Sequence, residues 1–115
     1  MTLCALSLQP LDFVKGYAEA LQEVKDIDEG EADIYPAMVR VLDLAHDARQ
    51  LASLAPSADI REKHIGRAQA YSECVEAYRQ YGEACGRELE PGLEGFISWR
   101  LIMAQGLINK QQEKP

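Results

Sequence analysis

Eight residues, Asp26 to Asp33 in the run DIDEGEAD, hold five carboxylates and one glycine, a density that suggests a calcium loop. Such a loop needs oxygen donors at positions 1, 3, 5, 9 and 12 and a glycine at 6. Counting from Asp26 puts Gly30 at position 5, Glu31 at position 6, and Ala37 where a bidentate Glu is required. Anchoring on Gly30 as position 6 puts Lys25 and Ile27 at two ligand positions. Neither register works, so the segment reads as a solvated turn between helices, with Asp33 placed to cap the next one.

The other reactive residue types fare similarly. Asp43, His46, Asp47 and Gln50 share a helical face, and Asp43 with His46 forms half of a carboxylate-bridged di-metal motif. The other half would need an acid three residues before a second histidine, and Arg61 stands there before His64. Cys4, Cys74 and Cys85 form an odd, widely spaced set without a CxxC pair. If residues 74–85 are one helix, those two thiols lie about 16 Å apart along it and cannot bridge. Buried cysteine ordinarily behaves as a small hydrophobe, and neither histidine is placed by sequence to activate a thiol. The stretch GEACGRELEPG has three glycines but lacks the strand-then-helix setting of a phosphate loop. These residues point to no catalytic, metal or cofactor site, and a non-enzymatic role is expected.

Composition narrows the partners. Nineteen acids against twelve bases give a net charge of −7 over 115 residues, which repels phosphate backbones and anionic membranes. A DNA-reading helix in IGRAQAYSECV would put Arg61, Glu62 and Ser72 at positions that should pack inside. The odd cysteine set suits a reducing compartment. TLCALSLQP lacks a basic leader and a full apolar core for export. A cytoplasmic protein is therefore expected, with no membrane association.

Stepping out from single residues, hydrophobic periodicity predicts one all-α domain spanning 1–115, a four-helix antiparallel bundle with a long third helix. An arm over 1–9 carries Leu3, Leu6 and Leu8, and a first helix over 10–27 has Val14, Tyr17, Leu21 and Val24 at helical spacing. A second over 34–55 alternates Ala37, Val41, Leu44, Ala48, Leu51 and Ala55. Asp59 and Glu62 have capping-box spacing at the start of a third, over 59–89. The breaker EPG precedes a fourth over 93–109, an apolar core helix, and the tail 110–115 frays.

The third helix is the most informative element. Tyr71, Cys74, Val75, Tyr78, Tyr81, Cys85 and Leu89 form a wide amphipathic surface along it. Thirty-odd residues would extend about 45 Å, longer than the neighbours can cover, unless the helix kinks at Gly66, Gly82 or Gly86. That surface, or Phe96 and Trp99 on the last helix, is the expected partner or dimer interface. In size, helical layout and the stretch KHIGRAQAYSECVEAYRQYGEA, the chain resembles the small all-α anti-activators that bind and silence bacterial quorum-sensing transcription regulators. The resemblance implies sequestration of a transcription regulator and assigns no functional residue. The expected function is a non-catalytic acidic regulator that masks another protein and forms a homodimer. The competing readings are a helical DNA-binding regulator and a metal-binding helical-bundle enzyme.

Overall fold

The computed structural model describes residues 2–30, 33–83 and 90–112. They form α1 (Leu3–Ser7), α2 (Leu11–Gly30), α3 (Ile34–Ser53), α4 (Ala58–Ala77), a π-helical segment Tyr78–Glu83, and α5 (Glu90–Gln112). The architecture is an all-α bundle of four long helices, with no strand among the described residues. The main packing runs from α3 to α4, from α4 to α2 and from α2 to α5. The molecule measures 45 × 30 × 22 Å, so its thinnest dimension is about two helix diameters. No helix among the described residues is long and apolar enough to cross a membrane.

The predicted arm contains the short helix α1, opened by Thr2, whose hydroxyl accepts the Ala5 N–H at 3.2 Å. Leu6 docks into the core while Leu8 points to solvent. Helix α2 buries Phe13, Val14, Tyr17, Leu21, Val24 and Ile27, the stripe expected from its spacing. It runs three residues further than expected, into the acidic segment. Ile27 continues the buried stripe, Gln22 donates to Asp26 at 3.1 Å, and Asp28 is anchored across the bundle by Tyr78. These contacts offset the unfavourable placement of acids at a helix C-terminus, an effect of about 0.3–1 kcal/mol per charge.

Helix α3 begins at Ile34 as expected, but Asp33 makes no side-chain cap bond. Its buried face is an alanine ladder, Ala37, Ala45, Ala48 and Ala52 with Val41, whereas Leu42, Leu51 and Leu54 are exposed. Of the expected stripe, Ala37, Val41 and Ala48 are buried and Leu44 packs against the core, while Leu51 is exposed; the small side chains let α3 lie close against α4. Helix α4 is capped by Ser57, whose hydroxyl accepts the Ile60 N–H at 3.3 Å, rather than by Asp59 and Glu62.

The third helix keeps α-helical winding only to Ala77. α4 ends at Ala77 and passes into the π-helical segment, whose wider winding breaks the heptad register. EPG proves to be the opening of α5 rather than a linker before it. Pro91 occupies the first turn, where its missing N–H leaves no bond unmade.

At the centre, α2 and α4 cross without intervening side chains. A Cβ on Gly16 would overlap the backbone carbonyl of Lys63, and one on Gly66 would overlap that of Phe13. Glycine is required at both positions by this approach. Beyond the crossing, contacts rise in step along both helices, Glu23 to Tyr71 and then Asp28 to Tyr78, so α2 and α4 run parallel.

Candidate functional site

The close crossing brings three tyrosines to the edge of the α2/α4 interface, and each donates its hydroxyl to a carboxylate on the facing helix. Tyr17 Oη donates to Glu73 Oε1 at 2.6 Å, Tyr71 Oη to Glu23 Oε2 at 2.6 Å, and Tyr78 Oη to Asp28 Oδ1 at 3.0 Å. All three rings are fully buried. Apolar bodies fill the core, and the polar tips are satisfied where the interface meets solvent.

The Tyr17 end is the most elaborate. Glu73 also accepts from Gln69 Nε2 at 2.7 Å and pairs with Arg100 Nη1 at 3.3 Å. Arg100 reaches the Tyr17 hydroxyl at 3.4 Å and lies over the Phe96 ring, 4.3 Å from its centroid. The Glu73 and Arg100 side chains are 12% and 23% exposed, so the pair is shielded from bulk water and ties α4 to α5. At the next tyrosine, Arg67 Nη2 donates to Tyr71 Oη at 3.2 Å, and Arg67 Nη1 lies 3.3 Å from His64 Nδ1.

The electrostatics make these groups donors rather than nucleophiles. Burial, reinforced by the bond to Glu73, holds the Tyr17 phenol well above its ordinary range, while Arg100 opposes the shift. Burial and then the Glu23 bond push Tyr71 up to about 12 against the opposing effect of Arg67. Burial likewise pushes the Cys74 thiol up to about 12, with a smaller contribution from Glu73; a thiol so held is a packing group at neutral pH. Desolvation lowers the His64 pKa, helped by Arg67 and Lys63, so its imidazole favours the neutral form. His46, Asp43 and Asp47 lie on the exposed face of α3. Among the described residues no group of three or more His, Cys, Asp and Glu converges as a metal site.

The expected interface residues are therefore divided. Tyr71, Cys74, Val75 and Tyr78 belong to the core of the folded chain. They are covered by the facing helices of the chain itself. The side chains of Tyr81, Cys85 and Leu89 lie outside the described residues. Phe96 is half-buried beneath Arg100, whereas Trp99 is 64% exposed and Ile102, three residues on, is 66% exposed. Leu101 and Ile108 face inward on the same helix, so Trp99 and Ile102 stand as two apolar side chains on the face of α5 turned away from the core.

Sequence reasoning missed a second exposed surface, the groove between α3 and α4. It has a volume of about 430 Å³ and is lined by Arg49, Ala52, Ser53, Arg61, Ile65, Ala68, Gln69 and Ser72. Arg49 Nη2 donates to Ser72 Oγ at 2.6 Å across the two helices. The run of bases Arg61, Lys63 and Arg67 at the start of α4, which could attract an acidic partner segment, was its local signal.

No family model, no curated protein and no solved structure matches this chain.

Proposed function

We propose that the chain is a non-catalytic protein-interaction module, an acidic regulator that binds and masks a partner protein through the outward face of α5. The observation that carries this reading is the pairing of Trp99 and Ile102 one helical turn apart, both more than half exposed, on a helix whose opposite face is core. Exposed tryptophan is costly to leave in water and is among the residue types that dominate binding energy when covered. The polar clusters supply a second support: their tyrosines and thiol are held in unreactive protonation states by burial, and their hydrogen bonds join helices of this chain. The layout resemblance to quorum-sensing anti-activators extends the proposal to a transcription regulator as the masked protein, acting in the cytoplasm. Self-association through the same α5 face belongs to the reading.

Capture from the source organism's cytoplasm, followed by mass spectrometry, tests it. Wild-type chain is expected to retain a defined protein that Trp99→Ser and Ile102→Ser lose, with truncation costing about 2 kcal/mol of binding, or roughly thirty-fold. Sedimentation reports self-association in the same variants. Capture and assembly that are both indifferent to these substitutions overturn the assignment of α5.

A further inference from the structure

We infer that the groove between α3 and α4 is a separate docking site for an acidic amphipathic peptide segment of a partner protein, its carboxylates received by Arg49 and Arg61 and its apolar side chain by Ile65 and Ala68.

Charge complementarity singles out this groove. The chain as a whole carries a net charge of −7, yet the charged side chains lining the groove are both arginines. A depression of about 340 Å³ between α2 and α5 is lined by one charge of each sign, Lys15 and Glu19, and another of about 240 Å³ by Glu23 and Asp26 with Arg40. Among the described residues Arg49 and Arg61 pair with no carboxylate, in contrast to Lys63 with Glu19, Arg79 with Glu76 and Arg100 with Glu73. The Ser72 hydroxyl holds one edge of the Arg49 fork at 2.6 Å, which orients the guanidinium while leaving further N–H donors for a carboxylate.

Length indicates a peptide rather than a single small anion. Arg61 and Ser72, the latter marking the Arg49 end, are eleven residues apart on α4, about 16 Å by helical rise. Between them the floor is Ala52, Ile65 and Ala68. The natural complement has acidic groups at both ends and a hydrophobic side chain between them. Exposed Ile60 and Leu54, at the turn joining the two helices, extend the apolar surface beyond the Arg61 end.

The full chain can be titrated with a synthetic peptide of about twelve residues bearing glutamates at both ends and leucines at its centre. Backbone amide shifts and fluorescence anisotropy provide the readouts. The expected result is saturable binding with shifts centred on Ala52, Ile65, Ala68 and Ser72, weakened by added salt. A lysine-for-glutamate peptide and a serine-for-leucine peptide should each bind at least about ten-fold more weakly. Arg49→Gln with Arg61→Gln should cost a similar factor. Ser53→Glu introduces an acid while retaining both arginines and the Ser72 bond, so its loss of binding separates charge repulsion from misfolding. Equal binding of the lysine peptide, shifts centred elsewhere, or full affinity in Ser53→Glu and the double variant would each overturn the site. Displacement by inorganic phosphate at equal concentration would overturn the peptide assignment in favour of a small-anion site. Trp99→Ser should leave this titration unchanged, so failure here and failure of the α5 reading are distinguishable.

Discussion

Tyr17, Tyr71 and Tyr78 each fill core volume with a ring and bond the facing helix with a hydroxyl, so removing the oxygen alone measures the polar part of the contact. Tyr71→Phe retains the ring and deprives Glu23 of a 2.6 Å donor. A loss of about 1 kcal/mol in unfolding free energy is expected, read from urea denaturation at neutral pH; an unchanged midpoint would show that water replaces the phenol at no cost. Alkaline pH tests the same residues together. Tyr17, Tyr71 and Cys74 have folded-state pKa values raised above their unfolded ones, so above those unfolded values the native state binds more protons than the unfolded chain. Their contribution is complete below the unfolded values and is lost as pH rises. Stability should decline above about pH 9, where the unfolded thiol titrates, and more steeply above about pH 10, by about 1.4 kcal/mol per pH unit for each linked group. Cys74→Ala should remove the first part of this decline. Urea midpoints from pH 8 to 11 that stay level would refute the burial of these groups.

At the scale of elements, glycine makes opposite predictions according to its surroundings. Gly16→Ala and Gly66→Ala must push a backbone carbonyl aside, so each should destabilise by about 1–3 kcal/mol or more despite the better helix propensity of alanine. Gly95 and Gly106 in α5 have open space where a Cβ would stand, and alanine there should stabilise by about 0.5–1 kcal/mol. Thermal melts of the four variants give the signs directly. The contrast also explains what could be read from the chain. The α2 stripe was legible because Val14, Tyr17, Leu21 and Val24 repeat locally at helical spacing. The function of Gly16 was not, because its neighbour is the backbone of Lys63, far along the chain. The tyrosine bonds span 56, 48 and 50 residues, beyond any local pattern. In α3 the period located Ala37, Val41 and Ala48 on the packed face but also included Leu51, which close packing leaves outside while Ala45 and Ala52 lie inside. The tyrosine period continues into the π-helical segment, concealing the end of α4, and Tyr71 and Tyr78 are both buried by the chain's own helices.

For the whole molecule, the distribution of charge matters more than its sum. Seven excess negative charges occupy a body 45 Å long, while the shielded Arg100–Glu73 pair lies within it. In about 10 mM salt the screening length is about 30 Å, so repulsion acts across most of the molecule; near 150 mM it is about 8 Å. The melting temperature should therefore rise with added NaCl over this range, and a fall would mean that attractive pairs, not net repulsion, dominate. The proposed contacts divide by the same logic: α5 presents the uncharged side chains of Trp99 and Ile102, whereas the α3/α4 groove presents cations. Docking on the first should be insensitive to salt and docking on the second should weaken with it.

The outward position of Trp99 also has an optical consequence. It is the chain's single tryptophan, and its indole already meets water in the native fold, so denaturation should barely alter its emission colour while a body settling over α5 would shift it toward the blue. The molecule thus carries a built-in lamp that reports company more readily than collapse.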